Sequence, residues 1–199
     1  PGLGQASGDA PLGARAFRDA TAPNGVPFTP FDPDYELLEP GAVETSDNVR
    51  FVANVPDPEG FVDEINSNLA FSGDWVFQGS YAGFKVFDGS DPEAPELAAS
   101  VLCAGGQGDL SLAGDLLFFS VDSPRSDDSC ASTAVSSATA GNWEGIRIFD
   151  VSDPENPQYV SEVETRCGSH THTLIDDGST SGTAVLYNSA YDVSDTAET

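Results

Sequence analysis

The chain has 199 residues, enough for one domain with a substantial hydrophobic core, and it is strongly acidic. Its 33 Asp and Glu residues against 7 Lys and Arg residues give a formal net charge of -26, which excludes nucleic acid and anionic membranes as partners. No stretch approaches the roughly 20 consecutive apolar residues of a membrane span, so no membrane insertion is expected within this chain.

Residues 1–46 are predicted to form an extended or partly disordered arm. Gly, Ala and Pro occur throughout this stretch, and no helix-like or strand-like hydrophobic period is sustained. Aromatic residues between Val26 and Leu38 indicate that part of the arm lies against a folded surface. The remaining residues, 47–199, make up the predicted β domain.

The predicted β domain consists of short strands that fall into repeated units. The first strand, residues 50–55, ends at Pro56. A unit of four strands follows, a second unit repeats its order around a long insertion, and a third unit opens with two strands. The predicted strands of the three units are 69–71, 75–78, 83–88 and 97–102, then 109–112, 116–121, 145–150 and 159–163, then 171–175 and 184–188.

The clearest internal repeat joins the third strand of a unit to the turn that follows it. Residues 83–95 read Gly-Phe-Lys-Val-Phe-Asp-Gly-Ser-Asp-Pro-Glu-Ala-Pro, and residues 145–157 read Gly-Ile-Arg-Ile-Phe-Asp-Val-Ser-Asp-Pro-Glu-Asn-Pro. The β-branched and aromatic residues fit a half-buried strand, and the Asp, Ser and Pro residues favour a turn. Four aspartates recur with this turn and are predicted to bond its amides rather than to act in catalysis: Asp88, Asp91, Asp150 and Asp153.

Repeated units of four short antiparallel strands are typical of β-propeller blades. A sandwich or a β-solenoid shares the strand count, but a sandwich has no reason to repeat a sequence, and solenoid repeats are shorter. The sequence therefore predicts an all-β fold, a partial β-propeller of about two and a half blades that follows the extended arm.

Several motifs occur in an order that resembles secreted bacterial proteins with LVIVD repeats. They are Asn-Ser-Asn-Leu-Ala-Phe at 66–71, Gln-Gly at 78–79, Gly-Phe at 83–84, the two Asp-x-Ser-Asp-Pro-x-x-Pro turns, Gly-Gln-Gly-Asp at 106–109 and Gly-Ser-His-Thr-His-Thr at 168–173. The namesake strand corresponds to residues 84–88 and 146–150. The resemblance covers roughly residues 48–192 and implies a β-propeller on the cell exterior, while the family offers no agreed activity. Members of that family are usually much longer and continue through further blades.

The strand at residues 50–55 aligns with residues 158–163, the outermost strand of the second unit. Many propellers close their ring with an N-terminal outer strand, which joins a blade whose inner strands come from the C-terminus. A ring needs at least about 4 blades, and an open arc leaves unpaired sheet edges, which natural proteins avoid. We therefore expect this chain to be a fragment of a larger protein or to be completed by another copy or by another chain.

The cysteines, 3 in number and without a Cys-x-x-Cys pair, favour one disulfide and an odd thiol over a structural zinc site. In an up-and-down blade the insertion at residues 122–144, which carries Cys130, lies at the same end as the connector that carries Cys103. We predict a Cys103–Cys130 disulfide that stabilises the fold by about 3 kcal/mol. Cys167 is expected to stay unpaired within the chain or to pair beyond Thr199.

The only histidines, His170 and His172, are two residues apart at the start of a predicted innermost strand. Residues i and i+2 of a strand face the same way, so both imidazoles could bind one metal ion, Ca²⁺ or a transition metal, with Asp109 and Asn68 as further ligands. Two histidines alone are too few for a metal site. The alternative is that His172 is a hydrogen-bonded core histidine and that His170 caps the connector by hydrogen bonds.

Taken with the resemblance, the sequence predicts a non-enzymatic binding or scaffold module in the extracellular space, on the cell surface or in the periplasm. Its partner would be another protein or the remaining blades of the same protein. One alternative is a metal-dependent enzyme that uses His170 and His172 at the channel mouth. Another is a Ca²⁺-stabilised surface adhesion module.

Overall fold

The structure, a computed structural model, describes residues 48–176 and 183–190. The chain divides into two compact units, residues 1–51 and residues 52–199. The arm predicted for residues 1–46 lies outside the described residues. In the described part of the second unit the chain is all β, with ten strands in three antiparallel sheets and no helix.

Each sheet is a meander in which every strand pairs with the next one along the chain. Sheet 1 holds β1 (Asn66–Ser72), β2 (Trp75–Ser80), β3 (Gly83–Asp88) and β4 (Glu96–Leu102). Sheet 2 holds β5 (Leu110–Ala113), β6 (Leu116–Arg125), β7 (Trp143–Asp150) and β8 (Gln158–Glu164). Sheet 3 holds β9 (Thr171–Asp176) and β10 (Ala184–Ser189). These sheets confirm the predicted grouping into two four-strand units and a third that opens with two strands.

The sheets meet through their first strands. β1 contacts β5, and β5 contacts β9. The main hydrophobic core fills the space between sheet 1 and sheet 2, where the Phe84 ring centroid lies 4.9 Å from that of Phe149 and 6.0 Å from that of Phe119. Apolar burial between the two sheets is the dominant stabilising term. The buried core includes Phe77, Phe84, Val86, Leu110, Leu117, Phe119, Val121 and Phe149.

The repeated turn folds in the same way in both four-stranded sheets. The amide of Ser90 donates to the Asp88 carboxylate at 2.8 Å, and the amide of Ser152 donates to the Asp150 carboxylate at 2.9 Å. Hydrogen bonds from these serines lower the pKa of both carboxyls, because they stabilise the ionised form. The same bond to the amide two residues on is made by all four turn aspartates, Asp88, Asp91, Asp150 and Asp153.

An irregularity of strand pairing recurs as well. The register between β3 and β4 shifts at Val86–Phe87, and the register between β7 and β8 shifts at Ile148–Phe149, the equivalent pair. The same local departure accompanies the same sequence twice, so the repeat is one of structure as well as of sequence. Equivalent positions in sheets 1 and 2 are therefore comparable residue by residue.

The strand predicted at residues 50–55 does not form, since no strand includes them. Phe51 and Val52 are 49% and 44% exposed. A strand exists only where another strand pairs with its backbone groups, and no named strand in the described part of the chain pairs with these residues. The chain reaches sheet 1 through a turn instead, in which the Phe61 amide donates to the Pro58 carbonyl at 3.0 Å.

Candidate functional site

His172 is the centre of a polar cluster between sheet 2 and sheet 3. It is the second residue of β9, and its side chain is fully enclosed. Its Nε2 lies 2.6 Å from the Ser111 hydroxyl, and its Nδ1 lies 2.8 Å from the Ser120 hydroxyl. The Ser120 hydroxyl also bonds the Ser169 hydroxyl at 2.7 Å. The cluster therefore joins β5, β6 and the connector that leads into β9.

Burial lowers the pKa of His172, because the charged imidazolium would lose its hydration. The Asp109 carboxylate, 3.5 Å from Nδ1, opposes that shift without reversing it. The ring is therefore neutral at pH 7. A neutral imidazole has one donor nitrogen and one acceptor nitrogen, and both already have serine partners, so His172 is a satisfied core histidine.

His170 makes a separate pair with Asp122, in which Nδ1 lies 2.5 Å from Oδ2. The other oxygen of Asp122 accepts the amide N–H of Gln107 at 2.9 Å. The backbone N–H of His170 donates to the Ser189 carbonyl at 3.0 Å, which ties the connector to β10. His170 and Asp122 therefore join the connectors that lead into sheets 2 and 3.

Asn68 and Asp109 are engaged in hydrogen bonds of their own. Asn68 Nδ2 donates to Asp109 Oδ1 at 2.5 Å, and Asp109 Oδ2 accepts the amide N–H of His172 at 2.7 Å. Asp109 thus contacts both Asn68 and His172, whereas His170 bonds Asp122 instead of this group. Within residues 48–176 and 183–190 no three His, Cys, Asp or Glu side chains are grouped to hold a metal ion. Both imidazoles bond protein groups, as in the alternative expected from the sequence: His172 bonds Ser111 and Ser120, and His170 bonds Asp122.

The starts of the first strands line a polar cavity of about 360 Å³. Asn68 lies in β1, Asp109 directly precedes β5, and Thr171 begins β9. These are equivalent positions in the three sheets, and all three side chains line the cavity. Equivalent strand starts therefore border one common space.

Cys103 and Cys130 form the predicted disulfide, with an S–S distance of 2.04 Å. Cys103 is buried in the connector that follows β4, and Cys130 lies in the insertion between β6 and β7. The bond fixes the insertion to the connector that enters sheet 2. Cys167 is free and half-buried.

Arg147 of β7 anchors the same insertion, a role that the sequence analysis missed. Its side chain is completely buried, and the Trp143 ring centroid lies 5.2 Å from its guanidinium carbon. Burial lowers its pKa, although an arginine stays protonated. The guanidinium donates to five oxygens of the insertion and the connector: Asp128 O at 2.8 Å, Ser129 O at 3.0 Å, Ser132 Oγ at 3.0 Å, Cys103 O at 3.2 Å and Ala104 O at 3.0 Å.

Lys85 occupies the equivalent position in β3 and anchors the segment that enters sheet 1. It is 1% exposed, and its ammonium bonds the Asp57 carboxylate and, at 2.8 Å, Asn66 Oδ1. The buried Phe61 ring lies 5.5 Å from its Nζ. A sequence signal for both anchors existed, since the repeat places a cation at one fixed position of an otherwise apolar strand, where burial requires polar partners.

Equivalent residues of the first strands differ in exposure between sheet 1, the first of the three stacked sheets, and sheet 2. Leu110 of β5 lies between sheets 1 and 2 and is 2% exposed, whereas Leu69, its equivalent in β1, is 47% exposed. Ala70 packs against the core, so its neighbours Leu69 and Phe71 point to the opposite side of sheet 1. We call the surface formed by Leu69 and Phe71 the outer face of sheet 1.

Sheet 3, the last of the three stacked sheets, also exposes a residue whose equivalents in sheets 1 and 2 are buried. Phe77, Phe118 and Tyr187 are equivalent residues of the second strands, and they pair across with Ala70, Ser111 and Thr173. Their exposed fractions are 1%, 6% and 62% in that order. Ile175 and Val185 lie on the same side of sheet 3 as Tyr187 and are 49% and 47% exposed. These three residues define the outer face of sheet 3.

Comparisons with known proteins gave no match from which a function could be assigned. No protein-family model matches the chain, and no curated protein matches it. Among the described residues there is no helix with the length and apolar character needed to cross a membrane.

Proposed function

We propose that this chain is a non-enzymatic binding or scaffold module built on an LVIVD-type β-propeller and that it belongs to a larger protein or assembly. Three features support the propeller. The sheets are meanders, successive sheets meet at their first strands, and equivalent strand starts border one cavity. The strand-and-turn repeat, which folds alike in sheets 1 and 2, supports the LVIVD relationship.

The single observation that carries the proposal is the exposure of the two outer faces. Leu69 and Tyr187 occupy positions whose equivalents are covered wherever another sheet is adjacent. Large apolar side chains grouped on an open sheet face mark an interaction surface rather than an ordinary solvent-facing surface. A further sheet against each outer face would cover these residues as Leu110 and Phe118 are covered.

An oxidising, extracellular location is part of the proposal. The Cys103–Cys130 disulfide closes a loop between residues 27 positions apart and persists only where thiols are not kept reduced. The net charge of -26 suits a protein that must stay soluble while it presents apolar faces. A binding role is favoured over the metal-dependent alternative, because both ring nitrogens of His172 are hydrogen-bonded to serines.

Hydroxyl-radical footprinting tests the proposal, since it labels exposed aromatic side chains. In the isolated chain, Phe71 and Tyr187 should be labelled strongly, while Phe77 and Phe118 should be protected. In the native assembly purified from the cells that make it, Phe71 and Tyr187 should become as protected as Phe77.

Tyr81 is the internal control for this measurement, because it lies in the turn between β2 and β3, is 38% exposed and is not among the residues that define the two outer faces. Its labelling should be the same in the isolated chain and in the assembly. Phe71 and Tyr187 that stay as reactive as Tyr81 in the native assembly would show that no sheet covers them, and the proposal would fail.

A further inference from the structure

We propose that the outer face of sheet 3 docks onto the outer face of sheet 1 of a second copy of this chain, so that two copies form a closed dimer. This inference rests on the proposed function, because it names the partner that covers the open faces. Its starting point is that the chain carries both halves of one repeated interface, one at each end of its stack.

The outer face of sheet 1 has the apolar pattern of a surface that already packs on a sheet in this protein. Leu69 and Phe71 are equivalent to Leu110 and Leu112, which pack into the core between sheets 1 and 2. Leu69 and Phe71 are nevertheless 47% and 64% exposed. They therefore correspond to the surface that sheet 2 presents to sheet 1, but no sheet covers them.

The outer face of sheet 3 corresponds to the opposite surface of the same interface, the one that sheet 1 presents to sheet 2. Tyr187 is equivalent to Phe77, which receives sheet 2 in the established interface, and to Phe118, which is buried where sheet 3 follows sheet 2. Ile175 and Val185 extend this side along β9 and β10. None of the residues of the two outer faces is charged, so docking would bury apolar surface without burying an unpaired ion.

The segment that enters sheet 1 does not obstruct this docking. It lies over Lys85, where Asp57 and Phe61 contact it. In the established interface the connector into sheet 2 lies over Arg147 in the same way, through Cys103 O and Ala104 O. A segment that leads into a sheet and covers its buried Lys or Arg is therefore compatible with the packing of another sheet on the same face.

The number of sheets favours a closed dimer over an open filament. The described part of one chain holds three sheets, so two copies bring together six of them, and closed propellers hold about 4 to 8 blades. A heterologous interface whose rotation closes the ring forms twice in such a dimer and leaves no outer face exposed. Association then stops at two copies.

Net charge sets the conditions under which the dimer forms. Two chains that each carry a charge of -26 repel one another, and salt screens this repulsion while it leaves apolar burial intact. Dimerisation should therefore strengthen with ionic strength, the opposite of an interface held together by ion pairs.

Sedimentation velocity over a range of concentrations, at low and at high salt, gives the dissociation constant. We expect a monomer–dimer equilibrium that moves toward dimer in high salt. Phe71→Asp and Tyr187→Asp should each weaken the dimer by roughly 30-fold or more, since each places a charge in the apolar centre of an interface. Tyr81→Asp, a change at an exposed tyrosine outside both faces, should leave the constant unchanged.

A mixture of the two variants separates this arrangement from nonspecific association. A Phe71→Asp chain keeps an intact sheet 3 face, and a Tyr187→Asp chain keeps an intact sheet 1 face. Their mixed dimer has one intact interface and one that carries both substitutions, whereas the dimer of either variant has two interfaces with one Asp each. Because an interface already opened by one Asp loses little more from a second, the mixed dimer should form more tightly than the dimer of either variant alone. A mixture no tighter than the separate variants would overturn the head-to-tail arrangement.

Other outcomes are equally decisive. A wild-type chain that stays monomeric under all these conditions, or one that associates beyond two copies without limit, overturns the dimer. Circular dichroism of each variant checks that the sheets stay folded, which is expected because both side chains are more than half exposed in one chain. The footprinting result stays separate: a monomeric chain whose Phe71 and Tyr187 are protected in the native assembly would refute the dimer and leave the proposed function standing.

Discussion

Replacing Arg147 with Met should be among the most destabilising single changes in the chain. The side chain is completely buried, and its guanidinium donates to five oxygens, four of them backbone carbonyls in buried or partly buried contacts. Removing the donor leaves the more buried of these acceptors without a partner, although the Asp128 carbonyl keeps a bond from the Tyr159 hydroxyl at 3.2 Å. Each buried group left unpaired costs about 1 to 3 kcal/mol. The variant also avoids the free-energy cost of burying a charged arginine, which offsets part of this loss of stability.

We therefore expect Arg147→Met to lower the free energy of unfolding by about 3 to 5 kcal/mol, the range found when one partner of a buried charged network is removed. Urea denaturation followed by circular dichroism measures this as a shift in midpoint. Arg147→Lys should recover less than half of the loss, because an ammonium cannot span five acceptors arranged for a planar fork.

Arg166→Met is the matched control, since Arg166 is exposed and an exposed substitution of this kind changes stability by about 0.5 kcal/mol or less. The reasoning would be refuted if Arg147→Met unfolded at the same urea concentration as Arg166→Met. That result would mean that the insertion is held by its disulfide alone.

Three further predictions concern the disulfide, the pH dependence and the second anchor. Replacing Cys103 and Cys130 together with Ser should cost about 3 kcal/mol in the urea experiment, and an unchanged midpoint would contradict the structural role of the bond. His172 has a pKa below the ordinary 6.5 of the unfolded chain, so the unfolded state takes up the proton first, and stability is full above pH 6.5 and falls as the pH drops below it. His172→Leu should remove this dependence of the thermal midpoint on pH between pH 7.5 and 5.5, whereas His170→Asn should keep the part due to His172. Equal pH dependence in wild type and His172→Leu would contradict the assignment. Lys85→Met should cost only about 1 to 2 kcal/mol, less than Arg147→Met, because the Asp57 side chain it leaves is 32% exposed and regains water; a loss as large as that of Arg147→Met would contradict the argument.

The sheets and turns could be predicted from sequence because their determinants are local. Alternating apolar residues and the Asp-x-Ser-Asp-Pro turns define strand and turn within a dozen residues, and they recur. The Cys103–Cys130 pairing followed from the same strand order, since a meander places the second-to-third loop beside the connector that enters the sheet.

The partners of the two anchors and of His172 could not be predicted, because those partners have no local signature. Arg147 bonds mostly backbone carbonyls, which every residue carries. His172 bonds Ser111 and Ser120, which look like any strand serines until the sheets are stacked. The metal hypothesis used the correct fact that residues i and i+2 of a strand share a face, but the tertiary structure directs His170 to Asp122 and His172 to serines.

The strand expected at residues 50–55 shows the limit of alignment within one sequence. These residues match the outermost strand of the second unit in apolar pattern, but a strand also needs a partner, and the pattern says nothing of where the partner comes from. Phe51 and Val52 remain exposed accordingly.

Successive sheets meet through equivalent first strands, and the site, the outer faces and the dimer all depend on this contact. Asn68→Cys with Asp109→Cys, in a Cys167→Ser background, tests it, because the two native side chains are in hydrogen-bond contact at 2.5 Å. We predict spontaneous formation of a second disulfide, seen by mass spectrometry of a non-reduced digest. None should form when Asn68→Cys is combined with Asp115→Cys, in the turn between β5 and β6. Free thiols at positions 68 and 109 under the conditions that form Cys103–Cys130 would contradict the stacking of the sheets.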